Sequence, residues 1–175
     1  MGKNQNIYLP EDVYIPHFGK DKELVGVEIG ISGAAGSVAL LLRLPKLKLY
    51  CIDPWRYIEN APFEAGLAQE IQDNGYNISV AKLAPFEERA IVLRKESDDA
   101  VNDVPAEIDF VHIDGNHEYE QVMKDINNYM PKIKKGGILS GHDWILRPGV
   151  MQAVKELFEE SRINLGDDFL WWVYV

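Results

Sequence analysis

Short β-rich runs and helical stripes alternate along nearly the whole chain, and this order restricts it to an α/β fold. Parallel strands need a crossover of a dozen or more residues, and a helix is the usual way to make one. Residues 24–29, 47–52, 90–93, 108–113, 138–140 and 169–175 read as strands. Residues 37–44 are apolar and helical until Pro45. Phe63, Leu67 and Ile71 recur every four residues and predict a helix ending at Asn74-Gly75. Residues 97–101 make a short helix opened by a serine. Residues 118–133 carry Val122, Ile126, Tyr129, Met130 and Ile133 on one face, with Pro131 ending or kinking the helix. Gly136-Gly137 reads as a turn, and Pro148 opens a last helix. The stretch 164–168 is turn-rich and short, so the last two strands are expected to pair as a hairpin. The expected architecture is a doubly wound, mostly parallel sheet in an α/β/α sandwich, with right-handed crossovers and an antiparallel C-terminal strand.

A length of 175 residues suits a single core. Residues 1–22, polar and carrying Pro10 and Pro16, read as an irregular lead-in, and 23–175 as one domain. The apolar runs fall short of the ~18 residues that span a bilayer, and the polar start lacks a signal-peptide core. The lone Cys51 has no internal disulfide partner, which suits a reducing cytoplasmic setting. No membrane partner is expected. A net charge of −10 repels phosphate backbones, so nucleic acid is not expected either. Lys132, Lys134 and Lys135 sit where a helix ends, a position that favours cations. The composition leaves a homo-oligomer open.

In open α/β sheets ligands lie beyond the carboxyl ends of the strands. The first strand end carries Glu28, Gly30, Gly33 and Gly36, and the second Asp53. The third is followed by Ser97, Asp98 and Asp99, the fourth by Asp114 and His117, the fifth by His142 and Asp143. Glycines there let backbone approach a ligand. Asp53 stands where a carboxylate accepts ribose hydroxyls in nucleotide-binding sheets. The spacing G-x-x-G-x-x-G differs from the dinucleotide pattern G-x-G-x-x-G, and Glu28 disfavours a pyrophosphate while suiting an ammonium or sulfonium. A nicotinamide oxidoreductase is therefore disfavoured. A glycine turn over a buried acid is the plain alternative. His117 also reads as a helix-entry cap, and His142 as a strand-end residue bonded to a neighbour. Trp55, Tyr57, Tyr119 and Trp144 read equally as pocket walls or as packing, while 170–173 reads as strand core.

Four segments, Val27-Glu28-Ile29-Gly30, Cys51-Ile52-Asp53-Pro54-Trp55, residues 109–125 and residues 136–144, resemble the class I S-adenosylmethionine-dependent methyltransferases. Within these the chain is similar to small bacterial O-methyltransferase-like proteins with an IDGxHxY and GGxxxxHDW signature. That signature is present as Ile113-Asp114-Gly115-Asn116-His117-Glu118-Tyr119 and Gly136-Gly137 to His142-Asp143-Trp144, and the resemblance covers roughly residues 24–145. It implies S-adenosylmethionine as cofactor. Glu28 and Gly30 would bound its methionine end within the loop that includes Gly33, Asp53 would hold its ribose, Ser97 and Asp98 would lie near its adenine, and Asp114 beside the transferring methyl. The metal-dependent catechol branch implies a divalent ion, Mg²⁺ or Mn²⁺, at Asp114, His142 and Asp143, with His117 as base. An imidazole at position 142 favours Mn²⁺, Fe²⁺ or Zn²⁺ over Mg²⁺. The glycine loop is about two residues longer than in that branch. The implied activity is methyl transfer to a small-molecule hydroxyl of sugar or natural-product type. A nucleic-acid methyltransferase is opposed by the charge and by the Ile113-Asp114-Gly115-Asn116 strand end, which is unlike a Pro-Pro-aromatic base clamp. A binding or assembly module that keeps the fold without turnover is the other alternative.

Overall fold

The computed structural model describes residues 10–58, 68–167 and 169–175. Among these, the strands β1 (Leu24–Ile29), β2 (Leu47–Ile52), β3 (Ala90–Leu93), β4 (Ile108–Ile113), β5 (Ile133–Gly141), β6 (Asn164–Leu165) and β7 (Trp171–Tyr174) form one sheet in the order β3-β2-β1-β4-β5-β7-β6. β1 to β5 pair in parallel, and β7 runs antiparallel between β5 and β6. The chain winds outward from β1 through β2 to β3, then returns to lay β4 on the other side of β1. That reversal creates a switch point between β1 and β4.

The helices are α1 (Pro10–Phe18), α2 (Ala35–Arg43), α3 (Gln69–Leu83), α4 (Ser97–Ala100), α5 (Tyr119–Tyr129) and α6 (Pro148–Leu157). β4 is buried at every position, because helices cover both its faces and strands flank both its edges. Its alternate residues feed two cores. Val111 and Ile113 pack with Val122 and Ile126 of α5 and Val154 of α6. Phe110 points the other way, among Tyr14 of α1, Leu40 and Leu41 of α2 and Leu83 of α3. β7 divides likewise, Trp171 and Val173 facing the first core and Trp172 the second. Each such large side chain contributes roughly 1.5–3 kcal/mol by leaving water. None of the described helices is long and apolar enough to cross a membrane.

The antiparallel C-terminal strand and the doubly wound order are as the sequence implies, but four local expectations change. Residues 10–18 are not an irregular lead-in: they form α1, with Pro10 at its first position. Tertiary packing outweighs the two prolines, since Tyr14 is fully buried and stacks on Phe110 at 4.1 Å between ring centroids. α3 does not stop at Asn74-Gly75 but runs through to Leu83, and the Trp55 ring lies over Gly75. Ile71 is exposed on α3, while Phe63 and Leu67 lie outside the described residues. Gly136-Gly137 is no turn. Both lie inside β5, where the register slips between Ile108↔Ile133 and Phe110↔Ile138 and Gly136 takes a φ of +81°. This irregularity uses glycine's freedom in the left-handed region. Finally, Asn164-Leu165, expected in a turn, is edge strand β6 and makes the hairpin with β7, while β5 and β7 are joined through α6.

A polar chain crosses the second core. Tyr14 Oη and Ser140 Oγ lie 2.5 Å apart, His112 Nδ1 is 3.1 Å from the same Oγ, and Ser140 donates to the Val111 carbonyl at 3.1 Å. Burial pushes the His112 pKa down to about 4, the nearby His142 acting in the same direction and Asp114 against it. The unfolded chain therefore takes up this proton below pH 6.5 while the folded one resists until about 4. Stability from this group falls as pH drops through that window, by up to roughly 3 kcal/mol. Glu28 and Asp125, raised to about 7 and about 6, act in the opposite sense as pH rises. His112→Gln is thus expected to lose less stability than the parent between pH 7 and pH 5 in urea unfolding. Equal losses would show that His112 is not buried neutral.

Candidate active site

Parallel pairing sets Ile29 level with Ile52 and with Ile113, Ile52 level with Leu93, and Ile113 level with Gly141. The ladder continues beyond these ends. Gly30 N–H donates to the Ile52 carbonyl at 2.8 Å and Asp114 N–H to that of Ile29 at 2.8 Å. Asp53 N–H donates to Leu93 at 3.2 Å and His142 N–H to Ile113 at 3.1 Å. Gly30, Asp53, Asp114 and His142 therefore leave the sheet side by side. Gly30 has a φ of +85°, and a Cβ there would lie 2.2 Å from the Asp114 carbonyl oxygen. Only glycine lets the β1 and β4 loops meet this closely.

Glu28 is buried beneath the glycine loop and accepts a close hydrogen bond from Ser37 Oγ at the start of α2. Burial raises its pKa to about 7, the Ser37 bond acts against this, and the charges of Asp114 and Glu11 add to the rise. Asp53 is held by two backbone donors, Ser32 N–H at 2.9 Å and Trp55 N–H at 2.8 Å. The Gly33 carbonyl accepts from Lys82 of α3 at 2.7 Å.

Ser97 and Asp98 turn their side chains to α5. Ser97 Oγ donates to Asp125 at 2.6 Å, and Gln121 reaches Ser97 and Asp125 at 3.1 Å each. Asn128 donates to Asp98 at 3.1 Å, and Tyr129 Oη to the Ser97 carbonyl at 2.8 Å. These bonds fasten α4 to α5 and leave the two residues beside the end of β3. Asp125 is buried there, and desolvation lifts its pKa to about 6 against the Ser97 and Gln121 bonds. Its part was legible only in that it closes the segment 109–125 that resembles the methyltransferases.

The loops after β4 and β5 bring Asp114, His117 and Asp143 together, with one ligand atom of each inside 4.8 Å of the others. His117 Nε2 lies 2.7 Å from Asp143 Oδ2 and 3.7 Å from Asp114 Oδ1. Nε2 is buried, and the Asp143 approach has the length of an ion pair without the direction of a hydrogen bond. Asp143 holds a φ of +62°, sustained by Leu146 and Arg147 N–H donating to its carbonyl at 3.1 Å each. The metal set read from the sequence had His142 as third member. Here His117 joins the two aspartates, while His142 Nδ1 sits 3.7 Å from Asp143 Oδ1 and its ring stands perpendicular to that of Phe169 at 6.3 Å between centroids. The aromatic residues also separate. Trp55 and Trp144 are buried packing, Tyr119 bonds Glu156 of α6 at 2.8 Å, and Tyr57 is exposed. The 170–173 stretch is core, as expected.

The switch-point sheet with its row of carboxyl-end residues defines a Rossmann-like methyltransferase fold. Residues 27–144 match the methyltransferase domain family, and the chain belongs to it. An uncharacterized protein of Acanthamoeba polyphaga mimivirus is 30% identical over 151 residues, covering 80% of this chain. The chain spans 61% of that relative's length. Among solved structures, the O-methyltransferase NovP superposes with a TM-score of 0.66 at 16% identity, over 94% of this chain and 75% of NovP. An rRNA methylase from Streptococcus thermophilus does so at 0.64 and 12% identity, over 99% of this chain and 96% of that one. Likeness at these identities establishes the fold, which serves acceptors of different kinds.

Gly30→Ala is expected to lower stability by more than about 2 kcal/mol in urea unfolding, through left-handed strain and the collision with Asp114. Gly33→Ala, whose Cβ would meet only Lys82 Nζ at 3.9 Å, is expected to change it by less than about 1 kcal/mol. Equal effects would contradict the loop geometry.

Proposed function

We propose that the chain binds S-adenosylmethionine across the carboxyl ends of β1, β2 and β4 and transfers its methyl group to a hydroxyl of a small-molecule acceptor, with His117 as general base. The observation that carries this reading is the meeting of Asp114, His117 and Asp143 on the sheet edge that also presents Gly30 and Asp53. S-adenosylmethionine supplies a methyl group already activated on a sulfonium, which leaves as a neutral thioether. The chain's own work is then largely alignment. Asp53 takes the ribose hydroxyls, Glu28 and the Gly30–Gly33 loop bound the methionine end, and Ser97 and Asp98 border the adenine. Holding reactants in line supplies up to roughly 7–11 kcal/mol. As the acceptor oxygen gains the methyl, the His117 ring takes its proton at Nδ1, the nitrogen turned away from Asp143, a contribution of about 10²–10⁴-fold. Asp143 and Asp114 stabilise the imidazolium that forms. The net charge of −10 supports a small acceptor over a nucleic acid.

Two carboxylates and a buried imidazole nitrogen lacking a directed hydrogen bond also fit a divalent ion, with Asp114, Asp143 and His117 as its holders. That donor set suits Mn²⁺ or Zn²⁺ better than Mg²⁺. An ion there would supply Lewis acidity, lowering the pKa of an oxygen bound to it. A neutral imidazole that holds an ion through Nε2 carries its hydrogen on Nδ1 and has no lone pair left for a proton, so ion binding and the base role of His117 exclude each other.

Calorimetric titration of metal-stripped protein tests the reading. S-adenosylmethionine is expected to bind and NAD not to. Asp53→Ala is expected to weaken the methyl donor by roughly 10- to 100-fold, the loss of charge-assisted hydrogen bonds. Absence of donor binding, with or without Mg²⁺ or Mn²⁺, would sink the proposal. Mn²⁺ binding that disappears in both Asp114→Asn and His117→Ala would move His117 from base to ligand.

A further inference from the structure

The two loops that frame the proposed cofactor site are tied to each other through one residue, Ser32. Its N–H donates to Asp53 Oδ2 at 2.9 Å. Its carbonyl accepts twice, from the Trp55 indole N–H at 2.9 Å and from Ser79 Oγ at 2.6 Å. Trp55 N–H in turn donates to the other Asp53 oxygen at 2.8 Å. The circuit Asp53–Ser32–Trp55–Asp53 is closed, and Ser79 fastens it to α3. Ser79 is fully buried on that helix. Its hydroxyl lies within reach of its own helix carbonyl at Gly75, 2.8 Å away, yet the shorter contact is to Ser32. Lys82, nearly one turn further on, holds the next carbonyl of the loop, that of Gly33, at 2.7 Å.

The backbone shows why such fastening is needed. Ser32 has a φ of +43°, Ala34 of +59° and Trp55 of +40°. Side-chain-bearing residues enter this region only where surrounding contacts hold them. The Ser32 and Trp55 bonds fall on different oxygens of Asp53, which fixes the plane of its carboxylate.

We propose that Ser79, acting with the Trp55 indole, is a positioning residue for the ribose end of the cofactor: it holds the Ser32 carbonyl, which keeps Ser32 N–H on Asp53 and so fixes the carboxylate that meets the ribose diol. This rests on the ribose reading of Asp53. Ser79 itself touches no cofactor atom in this scheme. Its effect on affinity is conveyed through a backbone amide and must therefore depend on the diol.

The test is calorimetric binding of S-adenosylhomocysteine and its 2′-deoxy analogue to the parent chain, Asp53→Asn, Ser79→Ala and Trp55→Phe, with thermal unfolding of each as control. Ser79→Ala is expected to weaken S-adenosylhomocysteine by about three- to ten-fold. It should weaken the 2′-deoxy analogue by less than half that factor. Trp55→Phe should show the same preference for the diol on top of a loss of thermal stability. Ser79→Ala binding within two-fold of the parent, while Asp53→Asn binds weakly, overturns the positioning role alone. Equal weakening of both ligands by Ser79→Ala also overturns it, since a general loosening of α3 would not distinguish the diol. A parent chain that binds neither ligand, or an Asp53→Asn chain that binds as tightly as the parent, overturns the ribose reading and the inference with it.

Discussion

Because hydrogen bonding between parallel strands pairs Ile29 with both Ile52 and Ile113, the residues that follow leave the sheet at one level. Gly30, Asp53, Asp114 and His142 would be scattered along the chain's exterior if any one strand slipped. A slip by one residue would also turn Phe110 from the core it shares with Tyr14 into the one it now excludes. Register and hydrophobic burial therefore reinforce each other, and the placement of chemistry follows from both. The glycine at position 30 belongs to the same constraint. It is the point where neighbouring loops approach too closely for a side chain.

The interior is not uniformly apolar, and its polar groups are arranged around the site. Glu28 with Ser37, His112 with Ser140 and Tyr14, and Asp125 with Ser97 and Gln121 are each buried beside a hydroxyl. A buried polar group without a partner costs more than a partnered one returns, so each pairing pins the elements that carry its members. Ser37 pins α2 to β1, Tyr14 pins α1 across β4 and β5, and Asp125 pins α5 to α4. Helices held in this way present loops in which Ser32, Ala34, Trp55 and Asp143 take a positive φ beyond the carboxyl ends of the strands, while Glu87 and Glu107 do so ahead of β3 and β4 at the other edge.

Much of this was legible beforehand. The strands from β1 to β4 were readable because buried parallel strands are short continuous apolar runs, and the end of each carried a polar group. Asp114 and Asp143 were readable as acids following β4 and β5, and the structure brings them together. Less legible was α1, whose prolines suggested irregularity until Tyr14 is seen stacked on Phe110. α3 was less legible at its far end, where it continues past Asn74-Gly75 and buries Ser79 and Leu83. Ser79 carries no local signal at all. A serine within a helix looks the same in sequence whether it bonds its own carbonyls or another loop. Which histidine stands with both aspartates also turned on geometry, for His117 and His142 both follow a strand end and both lie next to an acid in space.

By itself, then, the sequence determined the α/β class, the strand order along the chain and which residue types stand at the strand ends. Those follow from local periodicity and from turn chemistry, which act over a few residues. Tertiary structure alone decided the spatial order of the strands, the docking of α1, the bulge at Gly136 and the membership of the Asp114–His117–Asp143 group. It also decided that Ser97 and Asp98 brace α5, and that Ser79 reaches Ser32 across 47 residues of sequence. Such contacts join segments far apart in the chain, and their free energy exists only once the core has brought those segments together.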